Sequence, residues 1–293
     1  MKTVRILDFV ALFAGPLIVV WHPLASTLGL ALKNDAYTHI LLILPLSFTF
    51  ICVEWKSLQA DIKLSLPVGF LILCAAGMVA ILSRWQTPPI APDVRLSINM
   101  VALVLWWIGA FTFCFGAQVS RRLLFPLGFL FWMVPFPLFL LNWIVSLLQQ
   151  WSAFSARCLF VITGVPVAQD GLSLSIPGLT LEVAQECSSI RSSLMLLVTT
   201  MVLAQLVLRS PWRKALVIAL VVPLSVAKNG LRIFTIAMLG TRADPGFLTG
   251  RLHHQGGIVF FSIALIAVFV LLWILRRKED RLPPSPVMHP AGP

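Results

Sequence analysis

A chain of 293 residues with 59% hydrophobic and 11% charged side chains, at a mean hydropathy of +0.94, is not a water-soluble globule; such proteins carry about 25% charged residues. The net charge of +11 does not indicate nucleic acid, because the basic residues punctuate apolar runs and no nucleic-acid recognition module is present. Anchoring at an anionic membrane surface accounts for them, and membrane lipids are the partners this implies.

About 20 apolar residues are needed to cross roughly 30 Å of hydrocarbon as helix. In chain order, spans are predicted at 6–22, 38–54, 64–82, 97–116, 122–141, 190–208, 215–239 and 257–275. The first follows Lys2 and Arg5 as a signal peptide would, but Trp21, His22 and Pro23 stand where small residues would mark a cleavage site, so it reads as a retained span. Pro135 and Pro137 are expected to kink or end the fifth span and leave an opening between helices.

The stretch 142–163 is ambiguous: it is long enough to cross, but Gln149, Gln150 and Arg157 sit in it. Charge placement arbitrates. If the N-terminus is cytoplasmic and 142–163 does not cross, Lys2, Arg5, Lys56, Lys63, Arg121, Arg122 and the clusters at 209–214 and 276–281 share the cytoplasmic side. That is more than half of the 22 basic residues, as the positive-inside rule prefers. A crossing would move the last two clusters outside. An interfacial or re-entrant element is therefore expected at 142–163, with a nine-span arrangement as the alternative. The expected fold is an all-α polytopic membrane protein of about eight transmembrane helices, with both termini cytoplasmic. Residues 1–280 form one membrane domain, and 281–293 a proline-rich, disordered tail.

From 164 to 186, "GVPVAQDGLSLSIPGLTLEVAQE" alternates apolar and polar residues between glycines, the pattern of short strands joined by turns. A small extracytoplasmic hairpin is expected, leading straight to Cys187. Four of the five cysteines (Cys52, Cys74, Cys114 and Cys158) lie in or beside apolar helices, where a thiol acts as a small hydrophobe. No disulfide or zinc-ligand spacing and no cofactor-binding pattern is present.

Cys187 stands apart, in "QECSSIRSS". It is either a structural thiol or a nucleophile. A helix starting near Ser188 or Ser189 would put the sulfur at a helix N-terminus, which favours thiolate, and Arg191 would act in the same direction. N–H groups there can also hold an oxyanion. In "KNGLRIF", Lys228, Asn229 and Arg232 interrupt an apolar run. They either reach for the interface or face a protein interior, where a guanidinium would stabilise developing negative charge. In "GRLHHQGGIVFF", His253 or His254 would serve as a proton shuttle beside a thiol, or as interfacial histidine in a wet loop. As a metal site the pair lacks a spaced third ligand. Tyr37 and His39, at the mouth of the second span, belong either to a solvated loop with an aromatic belt or to a supporting, substrate-guiding group. In the eight-span arrangement all these segments face one side of the membrane.

Taken together, "AYTHILLILP", "FPLGFLFWMVPFP", "VPVAQDGLSLSIPGLTLEVAQECSSIRSS", "KNGLRIF" and "HHQGGIVFF", in this order over about residues 30 to 275, resemble the exosortase/archaeosortase family of membrane cysteine transpeptidases. The resemblance implies a nucleophile at Cys187, the arginine of an Asn-x-x-Arg motif at Arg232 with Asn229 before it, and a histidine at His253, four residues before Gly257. It implies exported protein substrates bearing a C-terminal signal: a short motif such as Pro-Glu-Pro, a transmembrane helix and a basic cluster. The tail would be removed outside the bacterial cytoplasmic (inner) membrane, on the periplasmic face, and the new C-terminus passed to a lipid- or glycan-linked amine or to water. Such systems accompany exopolysaccharide production and biofilms. Two departures stand out: Glu186-Cys187-Ser188-Ser189 replaces the frequent Ala-Cys-Ser-Gly, and the histidine is doubled. The rival readings are a membrane acyltransferase working through His253 or His254, and a non-catalytic polysaccharide export or assembly subunit.

Overall fold

The computed structural model describes residues 2–58, 66–85, 89–183, 190–244, 246 and 257–281. Among them, six helices are by themselves long and apolar enough to cross a membrane, and up to eight spans result if each of two bent helix pairs counts as one. The all-helical polytopic fold predicted from the sequence is the fold found. Burial supplies a second, independent sign of a lipid environment. The helix Leu66–Trp85 buries Gly69, Ala76 and Ser83 and exposes Phe70, Leu71, Met78 and Leu82. Small side chains inward and large apolar ones outward is the arrangement of helices that pack closely in lipid.

The chain divides into two compact units, Met1–Trp143 and Ile144–Pro293. The first contains α1 (Lys2–Val19), α2 (Trp21–Lys33), a 3-10 turn (Asp35–Tyr37), α3 (Ile40–Leu58), α4 (Leu66–Trp85), α5 (Pro92–Phe115), α6 (Ala117–Arg122) and α7 (Leu124–Phe129). A second 3-10 turn (Leu130–Met133) then leads to the start of α8 (Leu138–Ile162). Helix α5 is the most buried of these, and it ties down α1 through two indole donors. Trp106 Nε1 donates to Leu12 O at 2.9 Å, and Trp107 Nε1 to Phe13 O at 3.2 Å. Pro16 lies four residues after Leu12 and has no N–H, so the Leu12 carbonyl has no helical donor. Trp106 takes that place.

The span predicted at 122–141 is not one helix. It breaks at 134–137, where Pro135 and Pro137 cannot continue a helical ladder, and the chain resumes as the continuous α8. The segment Leu124–Met133 and the helix Leu138–Ile162 reach the length and hydropathy of a span only as a bent pair, a broken span or re-entrant loop. The boundary drawn between 141 and 142 therefore falls inside a helix. Backbone groups freed at such a break need other partners, and three side chains supply them here. Ser97 Oγ donates to Pro135 O at 2.7 Å, and the Tyr37 hydroxyl to Phe136 O at 2.9 Å. Leu138 N donates to Asp93 Oδ2 at 2.8 Å, capping the start of α8. An apolar cavity of about 430 Å³ lies against the break, lined in part by Val79, Val101, Phe131 and Pro137. It is the opening that the prolines predicted.

The second unit holds the rest of α8, three strands, and the helices α9 (Ile190–Val207), α10 (Pro211–Arg242) and α11 (Gly257–Asp280). The polar residues that made 142–163 ambiguous divide by face. Gln149 is buried and donates through Nε2 to Val183 O at 2.9 Å, whereas Gln150 and Arg157 are exposed. The expected hairpin is a three-stranded antiparallel meander: β1 (Ala168–Asp170), β2 (Ser173–Ile176) and β3 (Leu179–Glu182). Asp170 pairs with Ser173, and Ile176 with Leu179, so both turns have two-residue loops. Gly171 (φ 58°) and Gly178 (φ 84°, after Pro177) supply the positive φ that such turns require. Leu174, Ile176 and Val183 pack on Ala153, Ala156 and Phe160 of α8 and on Ile233 and Ala237 of α10.

Helices α9, α10 and α11 share a core that includes Leu196, Ala204, Val217, Val221, Ala264 and Val268. At one end of it, Glu279 accepts from the N–H groups of Arg209 and Ser210, both at 2.9 Å, and Arg276 Nη1 donates to Val207 O at 2.8 Å. The 209–214 and 276–281 basic clusters therefore lie together. Both the eight-span and the nine-span arrangements place these two clusters on one side.

Candidate active site

Helix α10 has 32 residues, about 48 Å at 1.5 Å per residue, longer than a bilayer's hydrocarbon core. Counting from Pro211 at the basic end, Lys228 and Arg232 lie about 26 and 32 Å along the axis. Both cations therefore lie in the half of the helix away from the basic clusters. They do not reach outward. Lys228, Asn229 and Arg232 are 6%, 0% and 8% exposed, so of the two sequence readings the inward-facing one holds. They continue a buried stripe, Val217, Val221 and Ser225 below and Ile236 and Gly240 above, at the three- and four-residue spacing of one helix face.

What faces them comes from neighbouring elements. Lys228 Nζ donates to Ser192 Oγ, in the first turn of α9. Arg191, beside it, is exposed. One position from Asn229, Gly230 allows α8 to approach: a Cβ there would stand 2.3 Å from Ser155 Oγ, 2.6 Å from Ser155 Cβ and 3.0 Å from Ala156 N. The meander packs around Ile233 and Ala237, one turn further on. Val183, the last described residue before 184–189, is held twice, by Gln149 and by its own N–H donating to Leu172 O at 3.0 Å. Because α11 runs antiparallel to α10, its first residue, Gly257, lies at this same end.

Cys187, Ser188, Ser189, His253 and His254 lie outside the described residues. Arg232 and Asn229 are brought to one buried face with Lys228. Tyr37 and His39 belong to the first unit and, instead of lining a solvated loop, are buried. The Tyr37 hydroxyl holds the proline break, and the His39 ring meets Trp132 edge-on at 6.4 Å. Ser192, Ser155 and Gly230 were not singled out from sequence, although Ser192 and Gly230 lie inside quoted motifs, and Gln149 was marked only as a polar residue in an ambiguous stretch. Among the described residues, no three His, Cys, Asp or Glu side chains are grouped to hold a metal.

Inverted burial, helices of membrane length and irregular backbone shielded by protein define a multi-pass integral membrane protein. Its order of segments, meander, polar α9 start, buried Asn-x-x-Arg face and glycine-led last helix, is a more particular pattern. The family model for transmembrane exosortases matches residues 31–270, and the chain belongs to that family, with a membrane transpeptidase-type role on proteins carrying sorting signals. No curated protein and no solved structure matches it.

Proposed function

We propose that the protein is a cysteine transpeptidase that removes the C-terminal sorting signal (short motif, transmembrane helix, basic cluster) from exported proteins at the periplasmic side of the inner membrane. Both termini are cytoplasmic in this reading, and it serves an exopolysaccharide or biofilm system. One observation supports it above the others. The residues flanking 184–189, the buried Arg232 and the start of α11 all lie at the end of the second unit opposite its basic clusters.

Cys187 gives its thiol proton to His253, with His254 as the alternative acceptor, and the thiolate adds to the scissile carbonyl carbon. Arg232 donates to the oxygen as negative charge develops, with N–H groups near Ser188 and Ser189 beside it. Collapse breaks the C–N bond, and the imidazolium protonates the departing amine of the tail. The new C-terminus remains as a thioester on Cys187. Attack by a lipid- or glycan-linked amine joins it to that acceptor; attack by water releases it. Arg191, four residues after Cys187 in the chain, would favour thiolate, and Asn229 keeps its place in the motif by fitting a fully buried position beside Arg232.

The test is intact-mass measurement of an exported protein with such a tail, from cells carrying wild-type or Cys187→Ala enzyme. The variant is expected in the membrane at normal amounts, with the tail retained. Normal tail removal by that variant rules out the nucleophile. An acyl group found on a glycan or lipid, and never on Cys187, favours the acyltransferase reading.

A further inference from the structure

Lys228 has no part in this mechanism, yet it is a lysine buried to 6% exposure within a membrane helix. A long cationic side chain near the end of a span ordinarily reaches for water. This one turns inward and donates to Ser192 Oγ. Among the described residues no carboxylate lies within ion-pairing distance of it, and Arg232, of the same sign, sits one turn further along the same face. A methionine or leucine would fill the position at less desolvation cost if packing were all that was required. The bond to Ser192 is what the lysine makes here and neither of those side chains could.

Ser192 is the third residue of α9 and lies five residues after Cys187. Lys228 and Arg232 are carried by one continuous helix. A link from Lys228 to Ser192 thus fixes the start of α9 against the element that carries Arg232. On the other side of 184–189, Gln149 fixes Val183. We infer that Lys228 is a positioning residue for the transpeptidation: through Ser192 it sets where the Cys187 segment joins α9 relative to Arg232. This rests on the reading of Cys187 and Arg232 as reacting groups.

The experiment measures tail removal by full-length enzyme in membranes, using as probe a reporter protein fused to the tail of an exported protein from the same cell. Lys228→Met is expected to lower kcat about 100-fold, the loss typical of an ångström-scale misplacement, with KM within about threefold. Ser192→Ala should fall similarly, and Ser192→Thr, which keeps the acceptor oxygen, should stay within several-fold of wild type. The double variant Lys228→Met/Ser192→Ala should be no slower than the worse single variant, because one link is lost in both; independent effects would multiply to about 10⁴-fold. If Lys228→Met does not accumulate, the Ala and Thr variants at Ser192 decide. Wild-type kcat in Lys228→Met or Ser192→Ala, multiplicative losses in the double variant, or failure of Ser192→Thr to rescue overturns the positioning role. Tail removal by Cys187→Ala overturns the parent reading instead, so the two failures are distinguishable.

Discussion

Replacing Gly230 with alanine probes the closest helix contact beside Arg232. The added Cβ would meet Ser155 Oγ at 2.3 Å, Ser155 Cβ at 2.6 Å and Ala156 N at 3.0 Å. Carbon atoms prefer a separation of about 3.5–4.0 Å, so α8 and α10 must part by close to 1 Å. The serine side chain cannot relieve this by rotation, because its Cβ and the Ala156 backbone are both too near. Overpacking of this kind costs about 1–3 kcal/mol, and these contacts belong at the upper end. Alanine recovers about 1 kcal/mol of helix propensity over glycine, leaving a net destabilisation of about 2 kcal/mol. Arg232 lies two residues along, so if it acts in the reaction as proposed, a displacement of about an ångström there would cost about 100-fold in rate. The assay pairs thermal unfolding of the detergent-solubilised protein with tail removal in membranes. Adding Ser155→Gly to Gly230→Ala removes the two shortest contacts and should recover most of both losses. Wild-type stability and turnover in Gly230→Ala alone, or no recovery in the double variant, would refute the close-approach argument.

Two further substitutions have expected outcomes. On the proposed role of Arg232 as oxyanion donor, Arg232→Lys should lose about 10²–10³-fold in tail removal at normal expression, since an ammonium keeps the charge but not the planar fork; wild-type rates would exclude a geometrically fixed role. Tyr37→Phe keeps the ring and removes the donor to Phe136 O, leaving a carbonyl short of its partner at a cost of about 1–3 kcal/mol. Its unfolding midpoint should fall, and an unchanged midpoint would show that the break is not held by this bond.

The membrane class and the approximate position of most helices were legible in the chain because hydropathy is a local property. Leu66–Trp85, Pro92–Phe115, Ile190–Val207 and Gly257–Asp280 each carry a long, predominantly apolar stretch. The Pro135–Pro137 break and the glycine-marked turns of the meander were legible for the same reason: the backbone constraint belongs to the residue itself. The division at 141–142 was misplaced because α8 mixes apolar and polar residues whose faces are sorted only by neighbours. Gln149 looked like a polar residue in a doubtful span until Val183 O was found as its acceptor.

The candidate site divides along the same line. In the sequence, Cys187, Arg232 and the histidine pair at 253–254 stood out as candidate reactive groups, the choice of His253 came from the resemblance, and the order of the segments along the chain carried the family. Whether Lys228 reached for water or for protein was open in sequence. It was decided by Ser192, thirty-six residues away. A buried charge is placed by the groups that surround it, and those come from other helices whose approach depends on contacts such as Gly230 against Ser155. Composition and spacing determined what this protein is made to sit in and which family it belongs to; the packing of α8, α9 and α10 decided which of its cations face inward, because burial is a property of the assembled fold.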